Sequence, residues 1–224
     1  MSEIRSFEQT FSSEVAVRGF LHLPANPSGD GLVLTHGAGA NCQSPLLLAM
    51  AAALCESGLT VLRCDLPFRQ LRPHGPPPRG SAERDQKGLQ RAVEVVRQQV
   101  RGMVFLGGHS YGGRQSSMLA ASQSGFVDGL LLLSYPLHPP KRADQLRTDH
   151  FSELRTNALF VHGTRDGFGT VQELTEALTL IPAHTELLTV AGAGHELLTS
   201  RNRETLPKVV VESFLDFARP REHE

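Results

Sequence analysis

Tryptophan is absent from this chain of 224 residues, and cysteine is scarce. The cysteines, Cys42, Cys55 and Cys64, are odd in number and lack C-x-x-C spacing, so they indicate neither a disulfide framework nor a zinc-binding pattern. None of the ten histidines stands at the H-x-x-x-H or H-E-x-x-H spacing of a metalloenzyme. We therefore expect a protein of a reducing compartment without a metal site.

Long hydrophobic runs and an excess of one charge are also absent. The longest apolar stretch, residues 46–55, is far shorter than the roughly 20 residues that cross a bilayer. The first ten residues are polar and charged, unlike a secretion signal. A net charge of −1 favours neither nucleic acid nor an anionic membrane as a partner. These features predict a cytoplasmic protein with neither partner, and they leave the oligomeric state open.

The chain instead consists of alternating strand-like and helix-like segments. Short apolar runs are separated by amphipathic stretches along the whole length, with no Pro/Ser-rich linker and no internal repeat. Continuous apolar strands between such helices are typical of a parallel sheet covered on both faces. The pattern predicts an α/β fold in one domain, residues 1–224, with a mostly parallel central sheet. It also predicts an edge strand at residues 14–23 and a short helix at residues 144–154.

Residues 107–113, Gly-Gly-His-Ser-Tyr-Gly-Gly, are the most informative segment. They follow an apolar run at residues 103–106 and precede a helix-like stretch at residues 114–122, so Ser110 lies at the apex of a strand–turn–helix unit. A G-x-S-x-G pattern in that context is a nucleophile elbow, which exposes the serine hydroxyl at the top of the sheet. Gly108 and Gly112 are expected where a Cβ atom would clash between strand and helix. Ser110 is therefore the candidate nucleophile.

A serine hydroxyl needs a base, and the chain offers one in the order typical of this type of site. Asp166 follows an apolar strand with its tight loop, and His195 ends a Gly-rich loop after the next strand. The spacing leaves room for strand-plus-helix units between the three residues. Asp166 is thus the predicted acid and His195 the predicted base. Weaker candidates are Asp65, Asp128, Asp144, Asp149, His162 and His184.

An oxyanion hole is predicted from a second glycine-containing loop. Residues 31–35 form an apolar strand that runs into His36-Gly-Ala-Gly. Loops of this type supply one backbone N–H group, and the residue after the nucleophile supplies the other. The two donors are then the amides of Ala38 and Tyr111. We expect His36 to hydrogen-bond to the backbone rather than to transfer a proton.

Together these motifs resemble the α/β-hydrolase superfamily across nearly the entire chain. A closer likeness is to the KANL/Tex-type branch of α/β-hydrolase-like proteins, near the dienelactone-hydrolase-like group. Dienelactone hydrolase itself uses a cysteine nucleophile, so its substrate is not carried over to a chain with Ser110. A serine at this position, with no tryptophan in the chain, also disfavours dehalogenase chemistry. The motifs behind the closer likeness begin at His36, Arg63, Pro76, Gly108 and Tyr135.

The resemblance implies an α/β-hydrolase fold and a serine hydrolase that cleaves a small carboxylic ester or thioester without a cofactor. Only about twenty residues separate the strands that end near Tyr135 and begin near Ala158, too few for a cap domain. The alternative is a non-catalytic binding or scaffold protein, because the KANL/Tex-type branch includes interaction proteins. The intact order of serine, acid and histidine favours the enzyme.

The segment at residues 67–80 is rich in proline and arginine and is expected to be extended and stiff. It leaves the end of a strand where ligands bind in such sheets, so Arg69, Arg72 and Arg79 are candidates for a substrate rim. The alternative is a solvated surface loop, and P-x-x-P-x-x-R also matches a ligand pattern of SH3 domains. Arg114, one helical turn beyond Ser110, either orients the site or pairs with a surface carboxylate.

Overall fold

The fold is built on one eight-stranded sheet. The computed structural model describes residues 2–11 and 15–218. The strands are β1 (Glu3–Thr10), β2 (Ala16–Leu23), β3 (Gly31–Thr35), β4 (Thr60–Asp65), β5 (Val104–His109), β6 (Gly129–Leu133), β7 (Ala158–Gly163) and β8 (Thr185–Val190). Their order in the sheet is β1-β2-β4-β3-β5-β6-β7-β8. Across the sheet from β4 to β8, every pair of neighbouring strands is parallel. The β1–β2 and β2–β4 pairs are antiparallel.

Helices cover both faces of this sheet, as the sequence predicts. Apolar residues of α3 (Ala82–Gln99), α4 (Tyr111–Ser122) and α5 (Val171–Leu178) pack on one face, and those of α1 (Pro45–Glu56) and α6 (Leu206–Ala218) pack on the other. The central strands β3, β5, β6 and β7 are buried along their whole length, which explains their continuous apolar sequences. The structure also contains the short helix α2 (Pro67–Leu71).

One strand prediction needs correction at the antiparallel end of the sheet, and one strand was not predicted. The edge strand is β1, whereas β2, predicted as the edge, pairs with both β1 and β4. Residues of β1 are exposed on both faces except for half-buried Phe7. A strand with two solvated faces has no apolar alternation, so periodicity does not reveal it.

Two predictions for segments between the strands also need correction. The segment at residues 67–80 is not extended throughout, because Pro67 occupies the first turn of α2, where its fixed φ and missing N–H are compatible with a helix. The helix predicted at residues 144–154 is reduced to one 3₁₀ turn, Phe151–Glu153. Its residues from 144 to 149 are largely exposed and provide no apolar stripe to bury.

No cap domain covers the sheet within the part of the chain that the structure describes. The connection from β6 to β7 contains only the 3₁₀ turn, and the sheet and helices account for the α/β-hydrolase fold without insertion. None of the helices in residues 2–11 and 15–218 is long and apolar enough to cross a membrane.

Strand β5 and helix α4 cross closely at Ser110. Ser110 has φ 51° and ψ −115°, a conformation that L residues rarely adopt. Its N–H donates to the carbonyl of Leu133 at 2.8 Å, which fixes the turn to the end of β6. A Cβ atom on Gly112 would lie 2.6 Å from the carbonyl oxygen of His36. The elbow thus depends on glycine at this position, as the sequence predicts.

We predict that Gly108→Ala destabilises the protein. A Cβ atom there would meet backbone atoms of Gly112, Gly113 and Thr35 at 2.8–2.9 Å, and backbone cannot rotate away as a side chain can. The expected loss is at least about 2 kcal/mol in the free energy of unfolding, measured by urea denaturation. Gly167→Ala is the control, because its Cβ atom would meet nothing within 4 Å. Equal stability of the two variants would contradict the close crossing.

Candidate active site

Three side chains that are far apart in the sequence meet at the carboxyl end of the sheet. The Ser110 hydroxyl lies 2.7 Å from Nε2 of His195. Nδ1 of the same imidazole lies 3.0 and 2.9 Å from the two carboxylate oxygens of Asp166. The structure therefore brings together the serine, the acid and the histidine that the sequence predicts, each from the loop after a strand. Such a relay can draw a proton from the hydroxyl and hold the resulting imidazolium beside a carboxylate.

The Asp166 carboxylate is buried and held in its ionised form. Burial raises the pKa of this carboxyl, but hydrogen bonds from His195 and from the amide of Phe168 outweigh that effect, so the pKa lies below its usual value. The Phe168 amide donates to Oδ1 at 2.8 Å. A buried carboxylate with these donors orients the imidazole with Nδ1 protonated, which leaves Nε2 free to accept the proton of Ser110.

Two rings that the sequence did not single out hold His195. The Phe168 ring stacks on the imidazole, with a centroid distance of 4.0 Å and an interplanar angle of 28°. On another side, Nε2–H of His109 donates to the carbonyl oxygen of His195 at 2.8 Å. The imidazole is thus fixed by stacking, and the loop that carries it is tied to the residue before the nucleophile.

The candidate oxyanion loop, residues 36–40, is held from beneath by His36. This side chain is fully buried, and burial lowers its pKa to about 4, so the ring is neutral. Its Nδ1–H donates to the carbonyl of Gly37 at 2.8 Å, and its Nε2 accepts from the amide of Leu66 at 3.1 Å. Because C=O and N–H point in opposite directions across a trans peptide, this bond turns the Ala38 N–H away from the His36 ring. His36 binds the backbone, as expected.

Arg69 is not part of a substrate rim, which corrects the sequence prediction. Its side chain is buried, with 5% of the residue exposed. The guanidinium donates to the carbonyls of Ala38 and Ala40 at 2.7 Å each, and to those of Arg72 and Gly75 at 3.0 Å each. Arginine is usually exposed, but here its planar set of donors satisfies four carbonyls of two loops. Arg69 therefore fixes the candidate oxyanion loop.

The second candidate donor, the Tyr111 amide, lies in the first turn of α4, where helix N–H groups lack intrahelical partners. The Tyr111 side chain points the other way, and its hydroxyl donates to Oδ2 of Asp85 at 2.8 Å. Asp85 is fully buried and also accepts from the Phe68 amide at 3.0 Å. Burial raises the pKa of this carboxyl. Asp85 thus connects α3 to α2 and to α4, the helix that begins at the candidate nucleophile.

A cleft of about 320 Å³ opens over Ser110. It is lined by Gly37, Ala38, Gly39, Ala40, His109, Ser110, Phe168, His195 and Glu196. Both protein loops that carry the candidate oxyanion donor and the candidate base therefore face the same space. No group of three His, Cys, Asp or Glu side chains in residues 2–11 and 15–218 is arranged to hold a metal ion.

The remaining arginines predicted at the rim lie elsewhere. Arg72 and Arg79 are exposed and line a separate groove of about 160 Å³, rather than the cleft over Ser110. Arg114 is half-buried on α4, and it does not line that cleft either.

The alternative acid and base have other partners. Asp65 accepts a hydrogen bond from the amide of Cys42, and His162 hydrogen-bonds to the carbonyl of Gly169.

The sequence matches the family described as alpha/beta hydrolase domain over residues 29–218. The chain therefore belongs to this family of α/β hydrolases. The resemblance inferred from the elbow and the loop after β3 is confirmed at the level of the superfamily.

Solved structures agree with this assignment of the fold. Est1E from Butyrivibrio proteoclasticus superposes with a TM-score of 0.74 at 16% identity, over 95% of this chain and 98% of its own. Dienelactone hydrolase from Anabaena variabilis gives 0.72 at 19% identity, over 96% and 99%. XC6422 from Xanthomonas campestris, a serine hydrolase described as lacking a lid, gives 0.73 at 18% identity, over 96% and 95%. At these identities the likeness establishes the fold.

We predict that stability falls as the pH drops from 6.5 to 4. Burial lowers the pKa of His22 and of His36 to about 4, so the folded state binds fewer protons than the unfolded state below pH 6.5. This contribution is complete above pH 6.5 and is lost as the pH falls through 4, by up to about 3 kcal/mol per histidine. Urea denaturation at several pH values measures it.

The matched variant is His22→Gln, since glutamine offers Arg63 an acceptor that does not titrate in place of Nε2 at 2.8 Å. It should shrink the loss of stability between pH 6.5 and 4, whereas His74→Gln, at an exposed position, should not. An unchanged pH dependence in His22→Gln would rule out this histidine as a source.

Proposed function

We propose that this protein is a serine hydrolase that cleaves a small carboxylic ester or thioester through an acyl-enzyme. The observation that carries the proposal is the continuous contact from Ser110 through His195 to Asp166, with distances of 2.7 Å and 2.9 Å. Membership of the α/β hydrolase family supports the broader class of hydrolase. That the substrate is a small carboxylic ester or thioester is part of the proposal.

In the first half-reaction, Oγ of Ser110 attacks the carbonyl carbon, and its proton moves to Nε2 of His195. The imidazolium then gives this proton to the leaving oxygen or sulfur, so the leaving group departs as an alcohol or thiol and the acyl group stays on Ser110. In the second half, water attacks the acyl carbon while His195 takes a proton from it; the bond from this carbon to Oγ then breaks, the carboxylic acid leaves, and His195 gives the proton back to Oγ of Ser110. Asp166 keeps its charge throughout and holds Nδ1–H. No cofactor takes part in this scheme.

The negative charge of the tetrahedral intermediate would be bound by the amides of Ala38 and Tyr111. One lies in the loop held by His36 and Arg69, and the other begins α4. Donors that are fixed in advance need not reorganise during the reaction, and one such donor is worth about 3–4 kcal/mol of barrier.

We predict covalent labelling of Ser110 by a fluorophosphonate probe, because such probes need an activated serine and an oxyanion site. Ser110→Ala should abolish labelling and lower kcat by up to about 10⁶. Asp166→Asn should slow both labelling and turnover by about 10⁴, because the wrong imidazole tautomer is favoured. Asp149→Asn, at an exposed position, is the charge-matched control. Folded wild-type protein that stays unlabelled would favour the scaffold interpretation.

We also predict a preference for short acyl chains. The cleft of about 320 Å³ has no cap above it in the described residues, so it offers little apolar surface to a long chain. An enclosed tunnel would gain about 0.8 kcal/mol for each buried CH₂, and an open site loses that gain after the first few carbons. Steady-state kinetics should show p-nitrophenyl acetate and butyrate cleaved as well as decanoate, or better. A steep rise in kcat/KM toward decanoate would contradict an open cleft.

A further inference from the structure

One side chain that lines the cleft over Ser110 has a ring nitrogen that the proposed mechanism does not use. His109 ends β5 immediately before the candidate nucleophile, and only 5% of the residue is exposed. Its Nε2 lies 2.8 Å from the carbonyl oxygen of His195. Because a carbonyl oxygen only accepts hydrogen bonds, Nε2 carries a proton. Burial lowers the pKa of His109, so the ring is neutral and Nδ1 is an acceptor without a proton.

This nitrogen is open to the cleft and close to the reacting serine. Within residues 2–11 and 15–218, the hydrogen bond of the His109 ring is the one made by Nε2. Nδ1 is not among the buried polar atoms without a partner, so it is accessible from the cleft that the residue lines. A Cβ atom added to Gly37 would lie 3.1 Å from Nδ1 and 3.4 Å from Cβ of Ser110. Since one methyl-sized group would contact both, a short substrate on Ser110 can also reach Nδ1.

The side chains that line the cleft offer a substrate acceptors rather than donors. Beyond Ser110 and His195, which are bonded to each other, the polar side chains of the lining are those of His109 and the exposed Glu196. A carboxylate only accepts hydrogen bonds, and the remaining lining residues are glycine, alanine and phenylalanine. A substituent that complements this lining is therefore a hydrogen-bond donor, whereas a substrate carboxylate would meet the like charge of Glu196.

We propose that Nδ1 of His109 accepts a hydrogen bond from a hydroxyl group of the ester substrate. The substrate class is then a hydroxy ester, whose hydroxyl lies a few atoms from the carbonyl that Ser110 attacks. An analogue with a methyl group in that place would bury Nδ1 without a donor, and a site loses affinity when its polar group is left unpaired. This inference rests on the proposed function, because it assigns part of the substrate of the same site.

Hydrolysis is tested with two pairs of esters in which a hydroxyl replaces a methyl group. The acyl group carries it in p-nitrophenyl 3-hydroxybutyrate, paired with the 3-methylbutyrate, and the leaving group carries it in 2-hydroxyethyl butyrate, paired with propyl butyrate. Each ratio of kcat/KM is divided by the ratio for hydrolysis by hydroxide, which removes intrinsic reactivity. In one pair or both, the hydroxy ester should be favoured by about tenfold, and that pair identifies the half that carries the donor. Corrected ratios of one in both pairs would overturn the substrate class.

Two substitutions at position 109 separate the acceptor from the hydrogen bond to His195. In His109→Gln the amide N–H can still donate to the His195 carbonyl, but the position of Nδ1 has no acceptor. In His109→Asn the amide oxygen can occupy the position of Nδ1, but the side chain is too short to reach His195. The glutamine variant should bring the corrected ratio toward one. The asparagine variant should keep that ratio while lowering kcat for both esters. A preference that persists in His109→Gln would overturn the role of Nδ1.

The hydrogen bond is also tested without turnover, in Ser110→Ala protein that contains ¹⁵N-labelled histidine. The His109 ring should show one protonated and one unprotonated nitrogen. The unprotonated resonance should move upfield with ethyl 3-hydroxybutyrate or 2-hydroxyethyl butyrate, and it should not move with the methyl counterparts. No response to either hydroxy ester would overturn the acceptor. A response in the absence of any cleavage by the wild-type protein would support the acceptor and contradict the serine hydrolase.

Discussion

The close crossing of β5 and α4 is the constraint on which the rest of the site depends. Ser110 adopts φ 51° at this crossing, and the neighbouring glycines let the helix begin directly against the strand. That geometry lifts the serine hydroxyl toward His195 and places the Tyr111 amide in the first turn of α4, where helix N–H groups lack intrahelical partners. A strained residue persists only where the surroundings determine it. Here the hydrogen bond from the Ser110 amide to the Leu133 carbonyl, together with the buried parallel sheet, holds Ser110 in this conformation.

A second layer of buried side chains prepares the loop opposite the elbow. His36 binds one carbonyl of the loop, and Arg69 binds two more together with two carbonyls of the segment after α2. Both side chains are buried, and neither is paired with a carboxylate at hydrogen-bond distance. Their role is to hold backbone groups, so the loop is formed before any ligand arrives. The candidate oxyanion site therefore depends on packing beneath the cleft as much as on the glycines within it.

Local patterns predicted much of this arrangement, and contacts between distant loops account for the rest. The spacing of Gly108 and Gly112 around Ser110 is a local requirement of a sharp turn, so it can be recognised in the sequence. The sequence places Arg69 just after the end of a strand where ligands bind, which suggests a rim residue, but its four carbonyl partners become apparent only in the fold. Phe168 stacks on His195 across two loops, and no spacing rule links them. Strand β1 has no clear sequence signature because both of its faces are solvated.

The central claim is that Ser110 becomes acylated during turnover. The most direct measurement is rapid acid quenching of the protein during hydrolysis of p-nitrophenyl butyrate, followed by mass spectrometry of the peptide that contains Ser110. The account predicts a butyryl group on Ser110, present at higher occupancy when the second half-reaction is slow, and absent from Ser110→Ala. Release of p-nitrophenol without any acyl adduct, or with an adduct on another side chain, would contradict it.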